Sequence, residues 1–211
     1  MPSIIFFEER PVLAKGHRKN NFINEQKLLS YFHDEDYSAL DLLKGLPPFH
    51  LSSDRPLLFY PGCGVDILFP LHYLQILFPR LSQITFFFVD LSHSLGIIKS
   101  VFDDIGVTFS DKNNILLFYW KNTLIKLCYC QGDVFSILET LPEYDIYFEK
   151  AFCIMKEQDP SYESRVYQKL KPNGVLISDS GFQSFPLQKI KVSPELSSYR
   201  EMIIGIKKAS Q

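Results

Sequence analysis

The sequence has few of the residues that build disulfide-linked or zinc-bound scaffolds. Its 211 residues include only four cysteines. None of them forms a Cys-x-x-Cys pair, and no histidines stand beside them at the spacing of zinc ligands. The simplest interpretation is four free thiols in a reducing compartment, which predicts a cytoplasmic protein.

The sequence also lacks an excess of one charge and a long apolar run. Twenty-two Lys and Arg residues against 24 Asp and Glu residues give a formal net charge of −2, so the overall charge indicates neither nucleic acid nor an anionic membrane as a partner. The apolar run near the N-terminus soon meets two glutamates, and we expect neither a signal peptide nor a membrane span. A hydrophobic content of 46% predicts an ordinary globular domain with an ample core.

Apolar residues alternate along the chain between short strand-like runs and longer runs with helical spacing, which predicts an α/β fold. Several strand runs are continuously apolar, as strands covered on both faces are. The turn-prone pair Lys121-Asn122 separates two such runs and predicts an antiparallel hairpin within a mostly parallel sheet. The predicted strands are 56–60, 84–90, 114–120, 123–130, 144–149, 174–180 and 201–208.

The first fifty residues differ from the rest and predict a small N-terminal helical cap. Asn24 can cap a helix over NEQKLLSYF, and Gly45 can end a second helix in DYSALDLLKGL. The segment LPPFHLSSDRP then breaks any helix and leads into the first strand. We therefore divide the chain into a cap, residues 1–50, and a main domain, residues 51–211.

The cap has two interpretations. In the first, it closes over the carboxyl edge of the sheet and its aromatic residues line part of a substrate pocket. In the second, its helices pack permanently against the outer helices of the sheet and have no role in binding a ligand. The aromatic residues concerned are Phe22, Tyr31, Phe32 and Tyr37.

The stretch LLFYPGCGVDILFPL places two glycines between an apolar strand and a helix. At such a turn, Gly-x-Gly lets the backbone approach a ligand closely, and the free N–H groups of the helix point toward polar atoms. Pro70 is predicted as the first helical residue, because its ring would clash inside a helix. This leaves Asp66 in the loop. Taken alone, the two glycines are equally well explained as a tight turn without a ligand.

Further motifs follow at the ends of later strands. Asp90 ends the strand in FFFVDLS, where doubly wound folds place an acid for ribose hydroxyls, Asp133 lies in CQGDVFSIL, and LKPNGVLISDS combines a helix end, a turn and a strand. Together with PGCG, these motifs resemble the class I S-adenosylmethionine-dependent methyltransferase family over roughly residues 55–208. The resemblance implies a Rossmann-like three-layer sandwich and S-adenosylmethionine as the cofactor.

The resemblance also implies which residues bind the cofactor. It places Gly62 and Gly64 near the methionine and ribose parts, Asp90 at the ribose hydroxyls, and Leu91, Asp133 and Val134 around the adenine. Two positions depart from the family pattern, since Tyr60 stands where an acid is common and Asp66 where a glycine is common. Asp66 is therefore predicted to replace the missing acid as the partner of the cofactor's ammonium group.

The segment FEKAF follows the strand at which the resembled family receives its substrate. Glu149 and Lys150 are accordingly the candidates for a base or a substrate anchor. The alternative is that both side chains only solvate the end of the strand.

The expected function is methyl transfer from S-adenosylmethionine to a small-molecule substrate, because the chain has no large insertion for recognising a protein or a folded RNA. The alternative is a methyltransferase-like binding or interaction module that has lost its chemistry. A nicotinamide-dependent dehydrogenase fits less well, since the loop lacks a third glycine at the expected spacing.

Overall fold

A nine-stranded sheet is the central element of the computed structural model, which describes residues 5, 7–19, 21–183 and 185–209. The strands are β1 Leu57–Pro61, β2 Gln83–Asp90, β3 Phe109–Lys112, β4 Ile115–Trp120, β5 Thr123–Gln131, β6 Tyr144–Glu149, β7 Leu170–Ser178, β8 Leu187–Ile190 and β9 Ile203–Lys207. The helices are α1 Glu25–Leu29, α2 Asp34–Leu43, α3 Leu68–Leu77, α4 Leu95–Ile105, α5 Val134–Thr140, α6 Cys153–Lys156 and α7 Tyr162–Lys169. A 3₁₀ helix covers Pro194–Leu196.

The strand order across the sheet is β3-β4-β5-β2-β1-β6-β7-β9-β8. The five central strands, from β5 to β7, run parallel, whereas β3, β4, β8 and β9 join the sheet through antiparallel pairs. The chain order reverses at β1, which pairs with β2 on one side and with β6 on the other. In doubly wound folds, ligands bind outside the carboxyl ends of the strands at this switch point.

Helices cover both faces of the sheet, so the predicted Rossmann-like three-layer sandwich is confirmed. Side chains alternate along β1, with Leu58 and Tyr60 in the core that faces α3 and α4, and Phe59 in the core that faces α5 and α7. This alternation follows from the two-residue period of a strand. Because both faces are buried, the central strands need the continuous apolar runs that the sequence shows.

Each of the seven predicted strands overlaps an observed strand, and the hairpin around Lys121-Asn122 is confirmed by the pairing of Trp120 with Thr123. Its second strand, β5, is an inner strand that also pairs with β2. The sequence reading missed β3 and β8. Both are four-residue strands with mostly polar or exposed residues, and so they lack an apolar run.

Predicted cap helices are present as α1 and α2, and their apolar side chains join the core that faces α3 and α4. Leu43 is fully buried, and the Phe32 ring packs edge-on against the rings of Phe69 and His72. All four cysteines are free thiols, as predicted. In the described residues, no helix has the length and apolar character needed to cross a bilayer.

Candidate functional site

The glycine loop lies directly after β1, at the switch point of the sheet. Gly62 and Gly64 adopt φ angles of 58° and 52°, which side chains with a Cβ rarely adopt. A Cβ on Gly62 would stand 2.5 Å from the Phe152 ring, whereas one on Gly64 would meet no atom within 4 Å. The close approach of the Phe152 ring therefore explains why position 62 is a glycine, whereas Gly64 borders open space.

Asp90 holds this loop in place. The backbone N–H of Gly64 donates to Asp90 Oδ2 at 2.7 Å, and the N–H of Ser92 donates to Oδ1 at 2.8 Å. The loop is further tied to β2 by the N–H of Cys63, which donates to the Val89 carbonyl. Each carboxylate oxygen retains a second lone pair for a ligand, so Asp90 can orient the loop and still accept a hydrogen bond from outside.

Tyr60 and Asp66, the two residues that depart from the family pattern, are hydrogen-bonded to each other. The Tyr60 hydroxyl donates to Asp66 Oδ2 at 2.8 Å, and the N–H of Phe69 donates to Oδ1 at 3.1 Å, inside the first turn of α3. Loss of solvent raises the pKa of Asp66 to about 6, although the Tyr60 hydroxyl, the Phe69 N–H and the Lys150 ammonium group all favour the charged form. Asp66 is thus a loop carboxylate that gains a proton at a higher pH than an ordinary aspartate.

Pro70 is the third helical residue, and the prediction that it begins the helix was wrong by two positions, since α3 starts at Leu68. A proline is tolerated there because residues of the first turn have no intrahelical acceptor for their N–H groups. The consequence drawn from it is confirmed, because Asp66 precedes the helix.

A cavity of about 420 Å³ opens above the glycine loop, and we refer to it as the loop cavity. A volume of this size is typical of small-molecule sites, which span about 300–1,000 Å³. It brings together four of the predicted site residues with residues of the predicted cap. The lining includes Tyr31, His33, Tyr60, Gly62, Asp66 and Lys150.

Glu149 is the last residue of β6 and Lys150 follows it, and the environments of their side chains are very different. The Glu149 side chain is buried and accepts four hydrogen bonds, from Lys156 Nζ at 2.6 Å and from the hydroxyls of Tyr147, Ser178 and Ser180. Lys150 is partly exposed, and its Nζ lies 4.1 Å from the centre of the Phe69 ring. The structure therefore places Glu149 inside a buried polar network in which both of its oxygens have donors, and leaves Lys150 as the more exposed of the two residues.

A second cavity, of about 460 Å³, lies beside the first at the ends of β6 and β7, and we refer to it as the strand-end cavity. The two cavities share the side chains of His33, Asp36, Phe69 and Lys150 as walls. Among the buried polar residues of the strand-end cavity, sequence reasoning missed Tyr73 and Asp179. The motif LISDS at the end of a predicted strand was the available signal for Asp179, because strand ends carry the ligand groups in this fold.

The residues implied for the adenine follow the paired strands β2 and β5 and lie outside both cavities, with Leu91 after β2 and Asp133 and Val134 after β5. Asp133 caps α5 by accepting from the N–H groups of Phe135 and Ser136, and its hydrogen bond with the Ser136 hydroxyl lowers its pKa. Val134 is buried, whereas Leu91 is 63% exposed. The N–H of the intervening Gly132 donates to the Asp90 carbonyl, which keeps this region beside the glycine loop.

The four aromatic residues of the cap that were predicted to line a pocket lie in different environments. Tyr31 lines the loop cavity, whereas Phe32 is buried against its neighbours and Phe22 is 89% exposed. Tyr37 packs its ring against Phe32. Within the described residues, no group of three or more His, Cys, Asp or Glu side chains is arranged to hold a metal ion.

Comparisons with known proteins give structural likenesses only. The sequence matches no known protein family. No curated protein matches it either. A candidate S-adenosyl-L-methionine-dependent methyltransferase from Methanococcus maripaludis is 12% identical, with a TM-score of 0.45, over 93% of this chain and 98% of its own.

Two further likenesses concern proteins longer than this one. A precorrin-6y C5,15-methyltransferase from Geobacter metallireducens is 16% identical, with a TM-score of 0.38, over 67% of this chain and 58% of its own. PKMT2 from Rickettsia typhi, solved in complex with AdoHcy, is 16% identical, with a TM-score of 0.39, over 69% of this chain and 24% of its own. The chain thus spans less than two thirds of either protein.

Likenesses this distant decide neither activity nor substrate. The strand order and the position of the glycine loop come from the chain's own structure, and they are independent of the comparisons. On that ground the chain has a Rossmann-like α/β fold, with its glycine loop at the switch point of the sheet, which is the fold implied by the sequence resemblance to class I methyltransferases.

Proposed function

We propose that the protein is an S-adenosylmethionine-dependent methyltransferase with a small-molecule substrate. One observation supports this function above the others: the partly buried carboxylate of Asp66 lines a cavity of about 420 Å³ next to the glycine loop at the switch point. The two Asp66 oxygens accept from the Tyr60 hydroxyl and the Phe69 N–H, and each retains a lone pair that can accept from a cationic ligand. The ammonium group of the cofactor's methionine part is a cation of this kind.

The residues present fit the cofactor. Asp66 would accept from the ammonium group, with Tyr60 holding one of its oxygens in position. Asp90 would use its remaining lone pairs for ribose hydroxyls, and the open space beside Gly64 leaves room for the ligand. Leu91, Asp133 and Val134 would then lie toward the adenine. Gly62 contributes by letting Phe152 pack under the loop.

When bound, the cofactor supplies an electrophilic methyl group on a sulfonium. The chain's contribution is to hold an acceptor atom in line with that group and to receive any proton that it loses. Lys150 stands between the two cavities and is proposed as a substrate anchor. Glu149 is proposed as a positioning residue rather than a base, because its side chain is buried and its charge is paired with Lys156.

The proposal extends to the role of the cap and to the cellular compartment. The boundary near residue 50 separates the cap from the main domain, and the presence of Tyr31 and His33 in the loop cavity supports a cap that closes over the ligand. The four free thiols support a reducing compartment, and we propose the cytoplasm.

Calorimetric titration with S-adenosylhomocysteine tests the cofactor site. We expect binding to the wild-type chain and a loss of affinity of about tenfold or more in Asp66→Asn, because a charge-assisted hydrogen bond is replaced by a neutral one. Asp41→Asn is the matched control, since Asp41 is exposed and forms a surface ion pair with Lys44. A folded protein that shows no heat at millimolar ligand refutes the cofactor assignment.

Activity needs a separate measurement, because a binding module could retain the cofactor site. Release of S-adenosylhomocysteine from S-adenosylmethionine should be followed with panels of small amines, alcohols and carboxylic acids. Release with one panel, and its loss in Asp66→Asn, is the expected result. Cofactor binding without release from any panel would favour the inactive module.

A further inference from the structure

The strand-end cavity contains a buried acid with an unused oxygen. Asp179 is only 7% exposed. Its Oδ1 accepts from the N–H of Ala151 at 2.9 Å, and among the described residues no donor contacts its Oδ2. Burial raises the pKa of Asp179, against the opposing effects of the Ala151 N–H and the nearby Lys150 and Lys156 ammonium groups. The Oδ2 atom is open to the cavity, so a ligand there can supply the donor that a carboxylate oxygen favours.

A buried tyrosine faces the same cavity. Tyr73 is 7% exposed, and its ring packs edge-on against Phe148 with 5.1 Å between the ring centres. Its hydroxyl makes no hydrogen bond to any residue in the described part of the chain. Burial, followed by the charge of Asp179, raises its pKa. Tyr73 therefore stays a neutral hydroxyl whose pKa is influenced by the Asp179 charge, and its oxygen is open to the cavity, where a ligand can donate to it.

The rim of the strand-end cavity is predominantly acidic. Glu35, Asp36 and Glu195 join Asp179 in its lining, against the two cations Lys150 and Arg200. The fifth acid of the lining, Glu149, is already paired with Lys156. Apolar side chains make up much of the remaining wall, including those of Leu40, Phe148, Ile177 and Met202. The cavity thus favours a ligand with an apolar body and a positively charged or donor-rich head.

We propose that the strand-end cavity binds a small molecule through a primary or secondary amine, whose N–H groups donate to Asp179 Oδ2 and to the Tyr73 hydroxyl oxygen. Amine binding does not depend on the proposed methyltransferase function. The role of the strand-end cavity as the site of the methyl acceptor rests on that function. Position supports that role, since this cavity shares the walls Phe69 and Lys150 with the loop cavity.

In the acceptor role, Asp179 is the base. The ammonium form of the substrate gives one proton to the Asp179 carboxylate and becomes a neutral amine. A bound cofactor would supply the methyl group with which the nitrogen lone pair of this amine forms a bond, and the electron pair of the former S–C bond would stay with the cofactor's sulfur. The methylated nitrogen carries the positive charge afterwards, and Asp179 returns its proton to solvent when the product leaves.

Binding is tested without any cofactor, so that its outcome does not depend on the loop cavity. Phenethylamine, 2-phenylethanol and 3-phenylpropionate serve as probes with similar apolar bodies and different heads. We expect the amine to bind about tenfold or more tightly than the alcohol, and the carboxylate to bind most weakly, because a charge-assisted hydrogen bond forms only with the amine. Equal binding of amine and alcohol overturns the proposal, as does a lack of amine binding at millimolar concentration.

Two variants identify the residues. Asp179→Asn should abolish the preference for the amine over the alcohol, and Tyr73→Phe should reduce amine affinity by roughly three- to tenfold. Asp41→Asn should bind the amine as the wild type does. An Asp179→Asn variant that keeps the preference refutes the site.

A measurement on the wild type replaces the variants if either fails to fold. The carboxyl carbon resonance of Asp179 should titrate at lower pH when phenethylamine is bound, because a neighbouring cation favours the carboxylate. An unchanged titration in the presence of saturating amine overturns the proposal. If the amine binds as expected while S-adenosylhomocysteine does not, the amine site stands and the methyltransferase function fails.

Discussion

Substitution of alanine for each loop glycine should separate backbone strain from packing. Both glycines have positive φ angles of nearly equal size, 58° at Gly62 and 52° at Gly64. An alanine in this region costs about 1–2 kcal/mol relative to glycine. Only the Gly62 methyl group would also collide with a neighbour, since it would stand 2.5 and 2.6 Å from two atoms of the Phe152 ring.

The collision sets the difference between the two variants. Phe152 is 3% exposed and packs against Tyr162, so its ring has little room to move, and overpacking a core costs about 1–3 kcal/mol. We expect Gly64→Ala to lower the free energy of unfolding by about 1–2 kcal/mol and Gly62→Ala by about 2–5 kcal/mol. For a chain of this size, each 1 kcal/mol corresponds to a fall of about 2–4 °C in Tm.

Urea denaturation of the two variants measures these losses, and a double-mutant cycle assigns their cause. In a Phe152→Leu background, the cost of Gly62→Ala should fall toward that of Gly64→Ala, because the smaller side chain can withdraw from the added methyl group. Equal losses for the two glycine variants in the wild-type background would show that the contact with Phe152 does not constrain Gly62.

Three further predictions concern charge and burial. Affinity for S-adenosylhomocysteine should fall as the pH is lowered through about 6, because the Asp66 carboxylate then gains a proton and loses the charge that holds the ammonium group. Burial raises the pKa of Asp66 to about 6, against the opposing effects of Tyr60, the Phe69 N–H and Lys150. Calorimetry from pH 8 to 5 checks this, and an Asp66→Asn variant with the same pH dependence would contradict it. Lys156→Met should lower the free energy of unfolding by about 3–5 kcal/mol, since it leaves the buried Glu149 carboxylate without its cation, and adding Glu149→Gln should restore part of the loss in urea denaturation. Leu43→Ala should lower the free energy of unfolding by about 2–5 kcal/mol because Leu43 is fully buried. Leu29→Ala, at a side chain that is 50% exposed, should change it by less than about 0.5 kcal/mol, and equal effects would mean that α2 is not part of the core.

The sequence by itself determined the strands and the outline of the site. Continuous apolar runs identify buried parallel strands without reference to their neighbours, which is why β1, β2 and β6 were found within one residue of their ends. The short edge strands β3 and β8 have no such run and were missed. Asp66 could be placed in the loop because a proline close behind it restricts where the helix can begin.

Tertiary structure alone decided which polar groups meet. Glu149 and Ser178 lie 29 residues apart in the chain, and Asp179 reaches Ala151 across 28 residues. These contacts exist because β6 and β7 are paired in parallel, with Glu149 opposite Ser178. Apolar periodicity reports whether a residue is buried, but it carries no information about which strand lies beside it. Whether a buried carboxylate has donors on both oxygens, as Glu149 does, or on one oxygen, as Asp179 does, depends on those neighbours and therefore emerges only when the sheet is assembled.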